Sequence, residues 1–165
     1  MNETLGVASA AMGLRDRRIL LVSLAFPPKL DAEVLQTAKM YKYLSALPHT
    51  RVDVLTSRET GSPLSLIRPR VSTREGVSQF DLFRNRYIDY ALLRWTPGLA
   101  SRPDIKGRAV RHWQSMAEAL PSRPDIVVSR SYPMTSALVG RRLADHFRVP
   151  WVMQLSDPWL LYPLH

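Results

Sequence analysis

The stretch Ile19-Leu20-Leu21-Val22-Ser23-Leu24-Ala25-Phe26, closed by Pro27-Pro28, decides the fold. It is almost wholly apolar, too short for a buried helix, and stopped by two prolines. Such a run suits a strand covered on both faces, the kind that builds parallel sheets. Residues 31–47 then predict a helix, ended by Pro48. Asp31 suits its N-cap and Glu33 its first turn. Val34, Leu35, Ala38, Tyr41, Leu44 and Leu47 are assigned to one inward stripe, with Lys39 and Lys42 elsewhere. Residues 51–57, Arg51-Val52-Asp53-Val54-Leu55-Thr56-Ser57, alternate into a second strand. Together they make a βαβ unit, expected to cross over right-handed.

Working outward, the last third repeats this logic. Residues 124–129 predict a strand, and 134–147 a helix with Leu138, Val139, Leu143 and Phe147 inward. Residues 150–155 predict a further strand running into Ser156-Asp157-Pro158-Trp159. Between the thirds, Ile105, Ala109, Val110, Trp113, Met116, Ala117 and Leu120 recur with helical period. The middle is less patterned: residues 77–84 suit a strand and 87–95 a short helix. Residues 1–14 are expected to form a mobile tail and 15–165 one domain. The expected fold is α/β, a Rossmann-like open parallel sheet with helices on both faces.

The chain has 165 residues, 45% apolar and 22% charged, which excludes wholesale disorder and fibrous classes. It has no cysteine, so disulfides, a thiolate nucleophile and Cys-ligated metals are excluded. Lys and Arg number 23 against 14 Asp and Glu, a formal charge of +9. Nineteen of the bases are arginine, as a GC-rich coding sequence would give without any function. The functional alternative is an anionic partner. Nucleic acid is not supported, because no compact basic run, RNP motif, zinc finger or clear helix-turn-helix occurs. No apolar stretch approaches the ~20 residues that span a bilayer. Acidic Glu3 and the missing basic n-region speak against a secretion signal in the first residues. A cytoplasmic protein is expected. Tyr87, Tyr90, Leu92, Leu93 and Trp95, interleaved with Arg84, Arg86 and Arg94, suit peripheral contact with an anionic membrane, with burial of those apolar residues in the domain core as the favoured alternative.

Ligands of open α/β sheets sit outside the carboxyl ends of the strands, so three loops matter. In the first, Pro28 and Lys29 precede a helix N-terminus where backbone N–H groups can meet an anion, although Asp31 and Glu33 already occupy that end. In the second, Arg130 and Ser131 follow a strand. Arg130 can clamp a carboxylate or phosphate, or pair with a neighbouring acid. In the third, Asp157 can orient a hydroxyl or act as a base, or be simple turn chemistry before Pro158. If these loops adjoin, Lys29, Arg130 and Asp157 line one concave surface. Neither GxGxxG nor GxxxxGK[ST] occurs. His49, His112, His146 and His165 have no metal-ligand spacing, and no G-x-S-x-G elbow supports a triad. No cofactor or metal is expected.

Two blocks carry a family resemblance. Residues 19–57, "ILLVSLAFPPKLDAEVLQTAKMYKYLSALPHTRVDVLTS", resemble the first βαβ of family 4-type glycosyltransferases, with a Phe-Pro-Pro turn, an "AK…YL" helix segment and a His before the second strand. Residues 124–159, "PDIVVSRSYPMTSALVGRRLADHFRVPWVMQLSDPW", resemble the later part of the same N-terminal domain, where Pro-Trp-Val leads into an Asp-Pro-Trp corner. The blocks cover roughly half the chain in the right order. The resemblance implies a GT-B fold whose N-terminal domain receives the acceptor and whose C-terminal domain binds the nucleotide-sugar donor. It further implies metal-independent, usually retaining transfer to a polysaccharide or lipid-linked acceptor at the inner face of a membrane. Lys29-Leu30-Asp31-Ala32 stand where many relatives have a glycine pair. The chain also stops at His165, before such a first domain would be complete. The expectation is an acceptor-side domain, inactive without a separate donor domain. Asp157 is the expected catalytic contact, and Pro28, Lys29, Arg130, Ser131 and Asp157 are the expected substrate contacts. The alternative is a noncatalytic Rossmann-like module for an anionic ligand or a protein partner.

Overall fold

A computed structural model describes residues 16–28, 31–60, 70–83 and 110–156. Among them the strands are β1 (Arg17–Val22), β2 (Thr50–Thr60), β3 (Val71–Arg74), β4 (Val77–Phe83), β5 (Ile126–Arg130) and β6 (Trp151–Gln154). The helices are α1 (Ala32–Ser45), α2 (Trp113–Glu118) and α3 (Met134–Phe147). The strands form one sheet in the order β3-β4-β2-β1-β5-β6, parallel throughout except for the β3–β4 pair. The expected α/β open sheet is therefore the observed one.

Strand β1 is central because its residues can be buried on both faces. Leu20 and Val22 point into one apolar layer with Leu55, Phe80, Val127, Val139 and Leu143. Leu21 points into the other, with Val52, Val54 and Val128. Burying these three side chains stabilises by roughly 1.5–3 kcal/mol each, which is what the continuous apolar run supplies. Helix α1 covers the second layer through Met40, Tyr41 and Leu44. Helices α2 and α3 cover the first, through Met116 and Ala117 on one and Val139, Leu143 and Ala144 on the other.

Asp31 caps α1, its Oδ1 accepting from the Val34 N–H at 2.7 Å. Helix α3 ends where Arg148 turns left-handed, φ 53°, and Pro150 follows two residues later. At Gly140 α3 presses against β5. An added Cβ there would lie 2.7 Å from the Ser129 Cβ and 3.3 Å from the Trp151 Nε1.

Several sequence expectations need correction. Leu47, expected inward, lies past the end of α1 and is exposed, and Leu35 and Leu138, also expected inward, are exposed as well. The latter two each adjoin a residue that takes the inward position, Val34 and Val139, and neighbours on a helix lie about 100° apart. The first strand stops at Val22, and residues 23–25 are a buried turn instead of its continuation. Strand β3 was not anticipated. It joins β4 through Glu75-Gly76, whose φ angles of 51° and 78° make a tight hairpin turn. The expected helix over 105–120 appears as a helical turn over 110–112 leading into α2, its earlier residues lying outside the described ones. The tail over 1–14 and the segment from Tyr87 to Trp95 also lie outside them. Among the described residues no helix is long and apolar enough to cross a membrane.

Candidate functional site

The strand order reverses beside β1: β2 and β4 lie on one side of it, β5 and β6 on the other. At such a reversal the loops following the two adjacent strands diverge to opposite faces and leave a crevice at the carboxyl edge. Here the β1–α1 and β5–α3 loops flank it.

The β1–α1 turn is held by hydroxyls. The Leu24 N–H donates to Ser136 Oγ at 2.9 Å, and Ser57 Oγ donates to the Leu24 carbonyl at 3.1 Å. Ser23 Oγ donates to the Ala25 carbonyl at 2.9 Å. Ser23, Ser57 and Ser136 are all buried, so these bonds satisfy backbone groups that water does not reach. Beyond the turn, Phe26 packs edge-on against Tyr41 of α1, with ring centroids 5.8 Å apart, and Pro28 is exposed at the rim.

The β5–α3 loop begins with Arg130, which is only 3% exposed. Its Nη2 donates to Glu33 Oε2 at 2.6 Å and to Ser156 Oγ at 2.9 Å. Ser156 Oγ in turn donates to Glu33 Oε2 at 3.0 Å, closing a triangle. Between the two readings open for Arg130, the structure shows the paired one: Glu33 neutralises the guanidinium. Its Nε is buried and has no hydrogen-bond partner among the described residues. Ser131 ties the second and third loops together. Its N–H donates to the Gln154 carbonyl at 3.0 Å, and its Oγ accepts from the Ser156 N–H at 2.9 Å. Next to it, Tyr132 is 43% exposed at the carboxyl edge.

Of the sequence-predicted site residues, Arg130 and Ser131 therefore come together, joined by Glu33 and Ser156, and Pro28 stands on the neighbouring loop. Lys29 and Asp157 lie outside the described residues. The partnership with Glu33 was missed, since ninety-seven positions separate it from Arg130 and a first-turn glutamate already has a local explanation. No group of His, Asp and Glu that could hold a metal is present among the described residues. A second ion pair ties β2 to β4: Arg58 Nε and Nη2 both donate to Asp81 Oδ1, at 2.9 and 2.7 Å.

Among the histidines, His112 precedes α2 with its ring 5.9 Å from that of Phe80. Burial, with a smaller contribution from the adjacent Arg111 charge, lowers its pKa below the ordinary 6.5. It lies with the helices of the opposite layer from α1, and no acid or base role at the crevice follows from it. No family model and no curated protein matches this sequence.

Proposed function

We propose that this chain is the acceptor-side domain of a GT-B-type glycosyltransferase, taking sugar from a nucleotide-sugar donor to a polysaccharide or lipid-linked acceptor. The observation that carries this reading is the strand-order reversal itself, at whose carboxyl edge the two blocks that resemble family 4-type enzymes meet. The Phe-Pro-Pro turn of the first block and the Ser-Arg-Ser-Tyr-Pro turn of the second flank it, tied by Glu33, Arg130 and Ser156.

Glycosyl transfer asks for two things: an oriented acceptor hydroxyl, and cations or N–H donors for the departing diphosphate. The charge state of Arg130 favours the first role for this crevice. Its guanidinium is already matched by Glu33, so a diphosphate would have to displace a half-buried carboxylate to use it. The donor phosphates are then held by a separate donor domain, in the same polypeptide or another. Exposed Pro28 and Tyr132 offer an apolar rim on which a sugar ring can lie, with the Tyr132 hydroxyl as a polar handle.

Saturation-transfer NMR tests this directly, with neutral oligosaccharides, lipid-linked glycans and nucleotide sugars offered separately to the purified chain. Glycan signals that weaken on Tyr132→Ala, with none from the nucleotide, support the reading. Release of nucleoside diphosphate by the chain alone, lost on Asp157→Ala, overturns it and makes the chain a complete catalyst.

A further inference from the structure

Helix α1 has a second face that the sheet does not use. Leu35, Lys39 and Tyr43 follow one another at four-residue spacing on its outer side, with Lys42 beside them and Leu47 just past the helix end. Leu35 is 56% exposed, Tyr43 69% and Leu47 50%. The inner face is already committed to the core through Val34, Met40, Tyr41 and Leu44. An amphipathic helix that packs on a sheet needs one apolar face, and this one has two. Three large apolar side chains on one outward stripe are more than scattered exposure explains.

The charge on this face has one sign. No Asp or Glu occurs between Glu33 and Asp53, so the outer face of α1 contains no carboxylate. The two acids at its start are occupied elsewhere, Asp31 capping the helix and Glu33 holding Arg130. Beyond the helix end, Asp16 faces His49 at 3.6 Å. Lys39 and Lys42 are exposed, with no carboxylate partner among the described residues, and they are two of only four lysines in a chain otherwise served by arginine.

We infer that the outer face of α1 is a docking surface for an anionic lipid bilayer. Leu35, Tyr43 and Leu47 enter the boundary between headgroups and acyl chains. The Lys39 and Lys42 stems lie along it while their ammonium groups reach lipid phosphates. Tyrosine suits that depth because its ring is apolar and its hydroxyl stays wet. A second copy of this chain is disfavoured as the occupant, since it would bring its own Lys39 and Lys42 against these and carries +9 overall. This inference does not rest on the glycosyltransferase reading and survives its failure.

The test uses the full chain and vesicles of phosphatidylcholine with or without phosphatidylglycerol. Cosedimentation should occur with the anionic vesicles and weaken as salt rises. Each lysine contributes roughly a fivefold gain at an anionic surface, so Lys39→Gln with Lys42→Gln should lower the partition coefficient about thirtyfold. Leu35→Ser with Tyr43→Ser should lower it as well, at unchanged charge. Arg142→Gln with Arg148→Gln, a charge-matched pair on α3 and at its C-cap, should leave it within about twofold of the parent if the face is specific. Because the chain has no cysteine, Gln36→Cys carries a single environment-sensitive fluorophore on the proposed face, and Ser72→Cys carries one on β3 as a control. A blue shift on vesicle addition at position 36 and none at 72 supports the inference. Equal losses from the lysine and arginine pairs, a probe at 36 that does not respond, or self-association through this face without vesicle binding would each overturn it.

Discussion

Removing the Glu33 carboxylate should cost this fold about as much as a large core truncation. In Glu33→Ala the Arg130 guanidinium stays where β5 puts it, 3% exposed, with Ser156 Oγ as its remaining described partner and Nε still unmatched. Breaking a buried pair from one side costs about 3–5 kcal/mol, because the surviving charge keeps its desolvation penalty. The Glu33 side chain is 21% exposed, so water can follow the truncation, which places the loss near ~3 kcal/mol. Local helix effects do not change this. Losing an acid from the first turn costs ~0.3–1 kcal/mol, while alanine returns a few tenths as the better helix former. With a urea dependence of ~2 kcal/mol/M, the midpoint should fall by about 1.5 M. The control is Glu33→Ala with Arg130→Met, which removes the charge together with its partner and should regain about 2 kcal/mol. Urea denaturation of the parent, Glu33→Ala, Arg130→Met and the double variant, followed by far-ultraviolet circular dichroism, gives the full cycle. A single variant within ~0.5 kcal/mol of the parent would refute the reasoning, as would a double variant no more stable than the single. Either result would mean that Arg130 is solvated or paired otherwise, and it would return the guanidinium to the list of ligand contacts.

Two further outcomes follow from geometry elsewhere. Gly140→Ala should destabilise by about 1–2 kcal/mol despite the ~1 kcal/mol helix-propensity gain, because its Cβ meets the backbone-anchored Ser129 Cβ at 2.7 Å; Ser129→Gly should relieve that clash, and thermal melts of both variants and the pair would show it. His112 is held below pKa 6.5 in the fold, by burial and then by Arg111, so the unfolded chain binds the proton more readily. Stability should therefore decline as pH falls through 6.5 and level off below the folded value, and His112→Gln should flatten that limb in urea titrations across pH.

What the sequence made legible were features that depend on neighbours in the chain. Leu20-Leu21-Val22 announced a strand covered on both faces because no solvent-facing strand tolerates three such residues in succession. Helix α3 was placed with its observed ends because Pro133 precedes it and Pro150 closes it. The β3–β4 hairpin was missed because Glu75-Gly76 is a weaker turn signal than Asn-Gly, although both adopt the positive φ that such a turn requires. Leu35 and Leu138 were misplaced because hydrophobicity was allowed to outvote angle on the helix. Candidate site residues were found where strand ends announced them, at Arg130 and Ser131. Their partners Glu33 and Ser156 depend on which strands adjoin, and sequence spacing does not contain that order.

The chemistry of the carboxyl edge bears on where a ligand can sit. Dinucleotide sites in this kind of sheet use glycines so that bare backbone N–H groups can approach a phosphate. Here the same positions are closed by side-chain hydroxyls: Ser136 takes the Leu24 N–H, Ser57 gives to its carbonyl, and Ser131 takes the Ser156 N–H. Each bond adds about 1 kcal/mol of stability, and the two made by the Leu24 and Ser156 N–H groups spend donors that a phosphate would otherwise use. Arg130, the cation nearest these loops in the described structure, is likewise spent on Glu33. An edge wired this way presents its rim rather than its interior. The exposed side chains at that rim, Pro28 and Tyr132, suit the flat apolar side of a sugar better than a diphosphate. This use of the hydroxyls, and not the family resemblance, is the physical ground for proposing an acceptor on this chain and phosphate chemistry elsewhere.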